Sequence, residues 1–309
     1  MKSKTLLIIL AILVILLSLN YYMDIKKGDR TLLADLVDAD TSEISTISIY
    51  PKAFNKKEIK FIKEGDEWML AFDDIKTGTD ENTMKSILGE IQNLKPARLA
   101  STSDSKWEKY EVNDSLGIEV KITDNDGELT ELVFGKFDYN QQNRKSASYV
   151  RLAGEEEVYA VDGYLSMTFD RGPESFRNRS LIEANHLLWT RITYNYPGDS
   201  SFVMISEKGR WHIDGIGTDS LSTTNYLASM SRLGGNQFVD DFDISQSTPS
   251  HTIVFEGENL ETITLDAYPT GDAHGYAIVS SENKHAIVSG GSDLFDRTFI
   301  SKNTYLTGQ

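Results

Sequence analysis

The apolar positions of this chain fall into two regimes. From Leu6 to Leu17 they are continuous, and from Thr5 to Met23 no residue is charged. At about 1.5 Å per residue such a stretch crosses most of a hydrocarbon core as a helix, the form in which a single segment satisfies its own backbone in lipid. Residues 5–23 therefore predict a transmembrane signal anchor, with residues 1–4 as a cytoplasmic leader bearing Lys2 and Lys4. No small-x-small cleavage site follows Leu17, so an uncleaved anchor is preferred to a cleaved signal peptide. The anchor predicts lipid contact through this helix, a single pass of the inner membrane, and a periplasmic location for the bulk of the chain.

Beyond the anchor the apolar positions become periodic. Ile44 to Tyr50 (ISTISIY) alternates as a strand does, and EIKFIKEG and DEWMLAF form a hairpin around Glu64-Gly65-Asp66. Met84, Ile87, Leu88, Ile91 and Leu94 then recur at helical spacing, with Asp80 as N-cap and Pro96 past the end. From Leu188 the same order of parts returns. WTRITYNY, SFVMISEKG and GRWHID read as strands about Lys208-Gly209, and Ser222 or Thr223 is placed to cap a helix carrying Leu227, Met230 and Leu233 before Gly234-Gly235. Trp68 and Trp211 precede Met84 and Leu227 by the same interval, which suggests an internal repeat. Further hairpins are expected at 118–134 and 251–265, each followed by another strand pair.

The predicted fold is α+β: an N-terminal transmembrane helix, then two related modules of mainly antiparallel sheet, each with a covering helix. The first spans 24–161 and the second 188–309. Residues 162–187 join them, with a short helix at Tyr164–Phe169, a break at Arg171-Gly172-Pro173 and the segment FRNRSLI.

Charge narrows the choice of partner. The chain has 31 basic and 47 acidic residues, a net of −16, which repels nucleic acid. Cysteine is absent, so disulfides, thiolate catalysis and cysteine-held metal are excluded. Asp124-Asn125-Asp126-Gly127 has turn chemistry, but its spacing fails as a calcium loop, because positions 1 and 12 would be Ile122 and Val133. Asp240-Asp241-Phe242-Asp243 reads as a solvated acidic edge. The five histidines show no i,i+4 pair, and no nucleophile elbow, phosphate loop or dinucleotide fingerprint is present. No catalytic residue, metal or cofactor is therefore assigned. Arg177 and Arg179, in the one stretch of the body with three arginines in nine residues, read either as a structural clamp pairing with acids of both modules or as candidates for a partner interface. Trp107 and Trp189 are candidates for stacking a ligand, whereas Trp68 and Trp211 read as core.

The basic leader and anchor, the EGDEWML element, the helix ending Leu94-Lys95-Pro96-Ala97-Arg98, Tyr149-Val150-Arg151, Val158-Tyr159-Ala160-Val161 and Phe176 to Ile182 together resemble the bacterial domain-of-unknown-function 4340 family. The resemblance implies an extracytoplasmic protein encoded beside ABC-type transport components, including gliding-associated ones. It defines no catalytic residues. The expectation that follows is a non-enzymatic accessory subunit of an ABC-type envelope complex, with membrane transporter subunits as partners. An envelope glycan- or peptide-binding module and a carboxylate-dependent envelope hydrolase are the alternatives.

Overall fold

The computed structural model describes residues 36–37, 40–127, 129–141, 145–272, 275–291 and 293–306. Along the chain the strands are β1 (Ile44–Tyr50), β2 (Ile59–Glu64), β3 (Glu67–Phe72), β4 (Ile75–Gly78), β5 (Pro96–Ser101), β6 (Ile118–Asp124), β7 (Leu129–Asn140), β8 (Lys145–Leu152), β9 (Val158–Val161) and β10 (Ser180–Glu183). They continue as β11 (Trp189–Asn195), β12 (Phe202–Glu207), β13 (Arg210–Ile213), β14 (Ile216–Gly217), β15 (Arg232–Gly234), β16 (His251–Gly257), β17 (Ile263–Pro269), β18 (Tyr276–Ser280) and β19 (Val288–Ser289). The helices are α1 (Glu81–Gln92), α2 (Trp107–Tyr110), α3 (Leu165–Phe169), α4 (Ser220–Met230), α5 (Leu294–Thr298) and α6 (Asn303–Leu306). Among the described residues the strands pair antiparallel, in sheets of nine, eight and two strands, the nine-stranded one described below by the unit to which each part belongs. By its internal contacts the chain divides into two compact units, one of the described residues up to Lys56 with Ser86–Arg171, the other of Lys57–Lys85 with the chain from Gly172 onward.

In the first unit the strand order is β1-β6-β7-β8-β9-β5. Alternate positions are buried, as one covered face requires: Ile47 and Ile49 on β1, Ile118, Val120 and Ile122 on β6, Leu132 and Phe134 on β7. Val112, Val133, Tyr149, Val158 and Ala160 form a smaller cluster. Gly135 is needed where the chain passes over β7, since a Cβ there would lie 2.2 Å from the Tyr110 carbonyl oxygen. Arg151 is buried at 4% exposure, 3.9 Å from the Trp107 ring centre. Its Nε donates to Val112 O at 3.1 Å and Nη1 to Leu152 O at 3.3 Å.

In the second unit β4-β3-β2 form one ladder and β14-β13-β12-β11-β16-β17-β18-β19 another, while β10 pairs with β15. Lys208 (φ 52°) and Gly209 (φ 79°) turn the β12–β13 hairpin through the left-handed region that two-residue turns use. The core joins Trp189, Ile192, Tyr194, Met204, Leu227, Met230, Phe255 and Leu265. Tyr194 stacks on Phe202 at 4.1 Å, and its hydroxyl lies 2.7 Å from that of Tyr305. Burial raises the pKa of both hydroxyls, with Tyr194 lowered somewhat in return by its bond to Tyr305.

Three expectations are corrected. The first is the membrane-spanning element. Among the described residues no helix is long and apolar enough to cross a membrane. Among them the longest, α1, has 12 residues, against the roughly 20 a span needs. The anchor placed at 5–23 lies outside the described residues. The α+β class with antiparallel sheets stands, while the transmembrane helix, its lipid contact and the single-pass inner-membrane location lose their support. The second concerns the internal repeat. The order β11-β16-β17-β18-β19 parallels β1-β6-β7-β8-β9, and β14-β13-β12 parallels β4-β3-β2. That agreement is one of strand order, and a repeat has no support beyond it. The third is local. The cap of α4 is Asp219, whose carboxylate accepts from Ser222 N at 2.8 Å, and the helix stops at Met230, leaving Leu233 to strand β15.

Candidate functional site

The site is built on β4. A strand so short at a sheet margin exposes backbone groups that need partners. Here the segment after Gly172 supplies them: Asp80 N donates to Phe176 O at 2.8 Å, Asn178 N to Gly78 O at 2.9 Å, and Thr79 bridges Arg177. On the inner side, Thr77 is buried and its hydroxyl donates to His285 O at 3.0 Å, which fixes the 281–285 loop. Asn283, 8% exposed, donates its amide to Asn178 O at 3.2 Å and to Ser180 O at 2.9 Å.

Arg177 holds this arrangement. It is 1% exposed and forms a two-pronged pair with Asp240, Nη1 to Oδ2 at 2.7 Å and Nη2 to Oδ1 at 2.5 Å. Glu174 adds a third contact at 3.3 Å. The guanidinium lies 3.6 Å from the Phe238 ring centre and 5.8 Å from that of Phe72. Planar, delocalised charge suits such a stack, and parallel donors suit a carboxylate. Nε is buried without a partner among the described residues.

Three clefts of the second unit have linings that overlap in pairs. The first, of about 430 Å³, is lined by Glu67, Trp68, Thr79, Met84, Asn283, Lys284 and His285 among others. A second, of about 410 Å³, shares Glu81 and Asn178 with it and adds Arg179, Ser180, Arg232 and Gly234. A third, of about 560 Å³, shares Glu183 and Arg232 with the second and reaches His186 and Ala228. The shared residues place the clefts next to one another in a row, a discontinuous groove along the second unit. Its middle depends on Gly234 and Gly235, expected from sequence as a helix stop. A Cβ on Gly234 would stand 3.1 Å from Arg179 O and one on Gly235 2.5 Å from Val288, so these glycines let β15 approach closely.

The sequence-selected residues fall in different places. Arg177 is interior, whereas Arg179 is exposed and lines the groove, one Nη donating to Glu174 O at 2.7 Å. Trp107 is half-buried in the first unit, its Nε1 donating to Glu156 O at 3.1 Å. Trp189 is 3% exposed and packs on Phe255 at 4.6 Å. Trp68, read as core, is half-buried and borders the groove. In the acidic edge, Asp240 pairs with Arg177 and Asp243 caps Ser245, whose hydrogen bonds lower the Asp243 pKa. His274 lies outside the described residues. Arg232 and Asn283 are not singled out by the sequence, Trp68 is read there as core and His285 only as one of five histidines without metal spacing, because each enters the groove through contacts distant in sequence.

No curated protein matches the chain, and no solved structure matches it. Nothing therefore ties it to an ABC-type transporter, and the expected partnership with transporter subunits is not retained, nor is the envelope role built on it. The family model described as "Domain of unknown function (DUF4340)" matches residues 73–253, more than half of the chain, and the chain belongs to that family.

Proposed function

We propose that the second unit is a non-catalytic binding module that receives its ligand in the groove running from Trp68 to Arg232. The single observation that carries this reading is the overlap of three clefts through Glu81, Asn178, Glu183 and Arg232. The groove offers a half-buried indole and a methionine at one end and two arginines further along, so it presents apolar and charged contacts in a fixed order. Its walls are tied to a buried ion pair, which preorganises them.

The chain's four tryptophans make a direct test. With 5-fluorotryptophan incorporated, a ligand found by screening a fragment library should shift the fluorine resonance of Trp68, assigned through Trp68→Phe, and leave that of Trp107 in place. Ligands that move Trp107 and not Trp68, or a library that leaves Trp68 unmoved throughout, would overturn the reading.

A further inference from the structure

Arg179 and Arg232 line the same cleft from two segments, one just before β10 and one on β15. Both side chains are exposed, and neither has a carboxylate of a described residue within ion-pair distance. Three acids line the same cleft. Two of the three are already engaged. Asp80 accepts from Thr83 N at 2.8 Å and Thr83 Oγ1 at 2.7 Å, and Glu81 pairs with Lys85 at 2.6 Å. The third, Glu183, faces Arg232 across the β10–β15 ladder without forming an ion pair. The two guanidiniums thus keep open donors, while Asp80 and Glu183 retain their charge in the same cleft, so recognition there rests on the forked donors and not on an excess of positive charge.

The bond from Arg179 to Glu174 O holds one edge of its guanidinium and leaves the remaining donors open. Arg232 is fixed at its backbone by pairing with Glu183, and Ser180 lines the same cleft. Two forked donors lining one cleft match the oxygens of a phosphate or carboxylate.

We propose that this part of the groove is an oxyanion site, in which Arg179 and Arg232 together hold a carboxylate or phosphate of the ligand. This rests on the binding-module reading and names the charged end of what that module takes. The test is calorimetric titration of the full chain with inorganic phosphate and, separately, with succinate, against sodium chloride at matched ionic strength. Saturable binding is expected for at least one of the two, weakened about tenfold or more by Arg179→Gln and by Arg232→Gln. Arg210→Gln, an exposed arginine on β13, should bind as the unaltered chain does. Phosphate binding alone would assign a phosphoryl ligand, and succinate binding alone a carboxylate. No saturable binding by either anion, or binding indifferent to both substitutions, would overturn the site. A neutral ligand that still moved the Trp68 resonance would then leave the module intact and remove only its charged end.

Discussion

Each unit buries one arginine against an aromatic ring, and the two are held in different ways. Arg177 meets Phe238 at 3.6 Å and is neutralised by a two-pronged carboxylate. Arg151 meets Trp107 at 3.9 Å, but its close partners are carbonyl oxygens, and the nearest acid, Asp114, stands 3.8 Å away with its side chain fully exposed. Burial lowers the Arg151 pKa, with Asp114 raising it in part. The contrast teaches that a buried cation can be satisfied by neutral acceptors where it only packs, whereas a matched carboxylate also ties two distant segments together. Arg177 and Asp240 are 63 residues apart.

The largest effect is expected at Asp240. Asp240→Ala leaves Arg177 buried with Glu174 as its remaining acid, and should cost about 3 kcal/mol of stability by denaturant unfolding. A loss below about 1 kcal/mol would make the pair incidental. Arg151→Met keeps the packing on Trp107 but strands the Val112 carbonyl, so a loss of about 1–2 kcal/mol is expected. If Arg151→Met matched Asp240→Ala, the distinction between the two arginines would fail.

A smaller, pH-dependent effect is expected in the second unit. His251 is half-buried among the rings of Tyr196, Tyr276, Phe295 and Phe299, and burial lowers its pKa from 6.5. The folded chain thus favours the neutral ring while the unfolded chain takes up a proton near pH 6.5. Stability from this site is complete above that pH and declines as pH falls through it. The acid-side decline between pH 7 and 5 should be shallower in His251→Phe, and an unchanged profile would exclude the site. Asp114→Asn should leave the unfolding midpoint where it is, since its carboxylate is fully exposed, and a clear shift would make the Arg151 ion pair matter.

Much of the fold was legible wherever one face of a strand is covered. Ile44–Tyr50 and Ile118–Asp124 alternate, and both are strands. The reading weakens where both faces are covered: on β3, Met69 and Leu70 are adjacent and both buried, so alternation does not say where Trp68 points. Capping was legible at Asp80 and misplaced at α4, where Asp219 lies among several residues able to cap. The groove was the least legible part. Arg179 stood out in its arginine cluster, but Arg232 sits alone in sequence and reaches it only through the β10–β15 pairing.

Arg177 and Arg179 are two residues apart, and the central claim is that the first builds the unit while the second serves its ligand. The most direct measurement is denaturant unfolding of Arg177→Leu and Arg179→Leu beside the unaltered chain. Arg177→Leu is expected to lose about 2 kcal/mol or more, and Arg179→Leu to remain within about 0.5 kcal/mol. Equal losses, or a loss confined to Arg179→Leu, would contradict it.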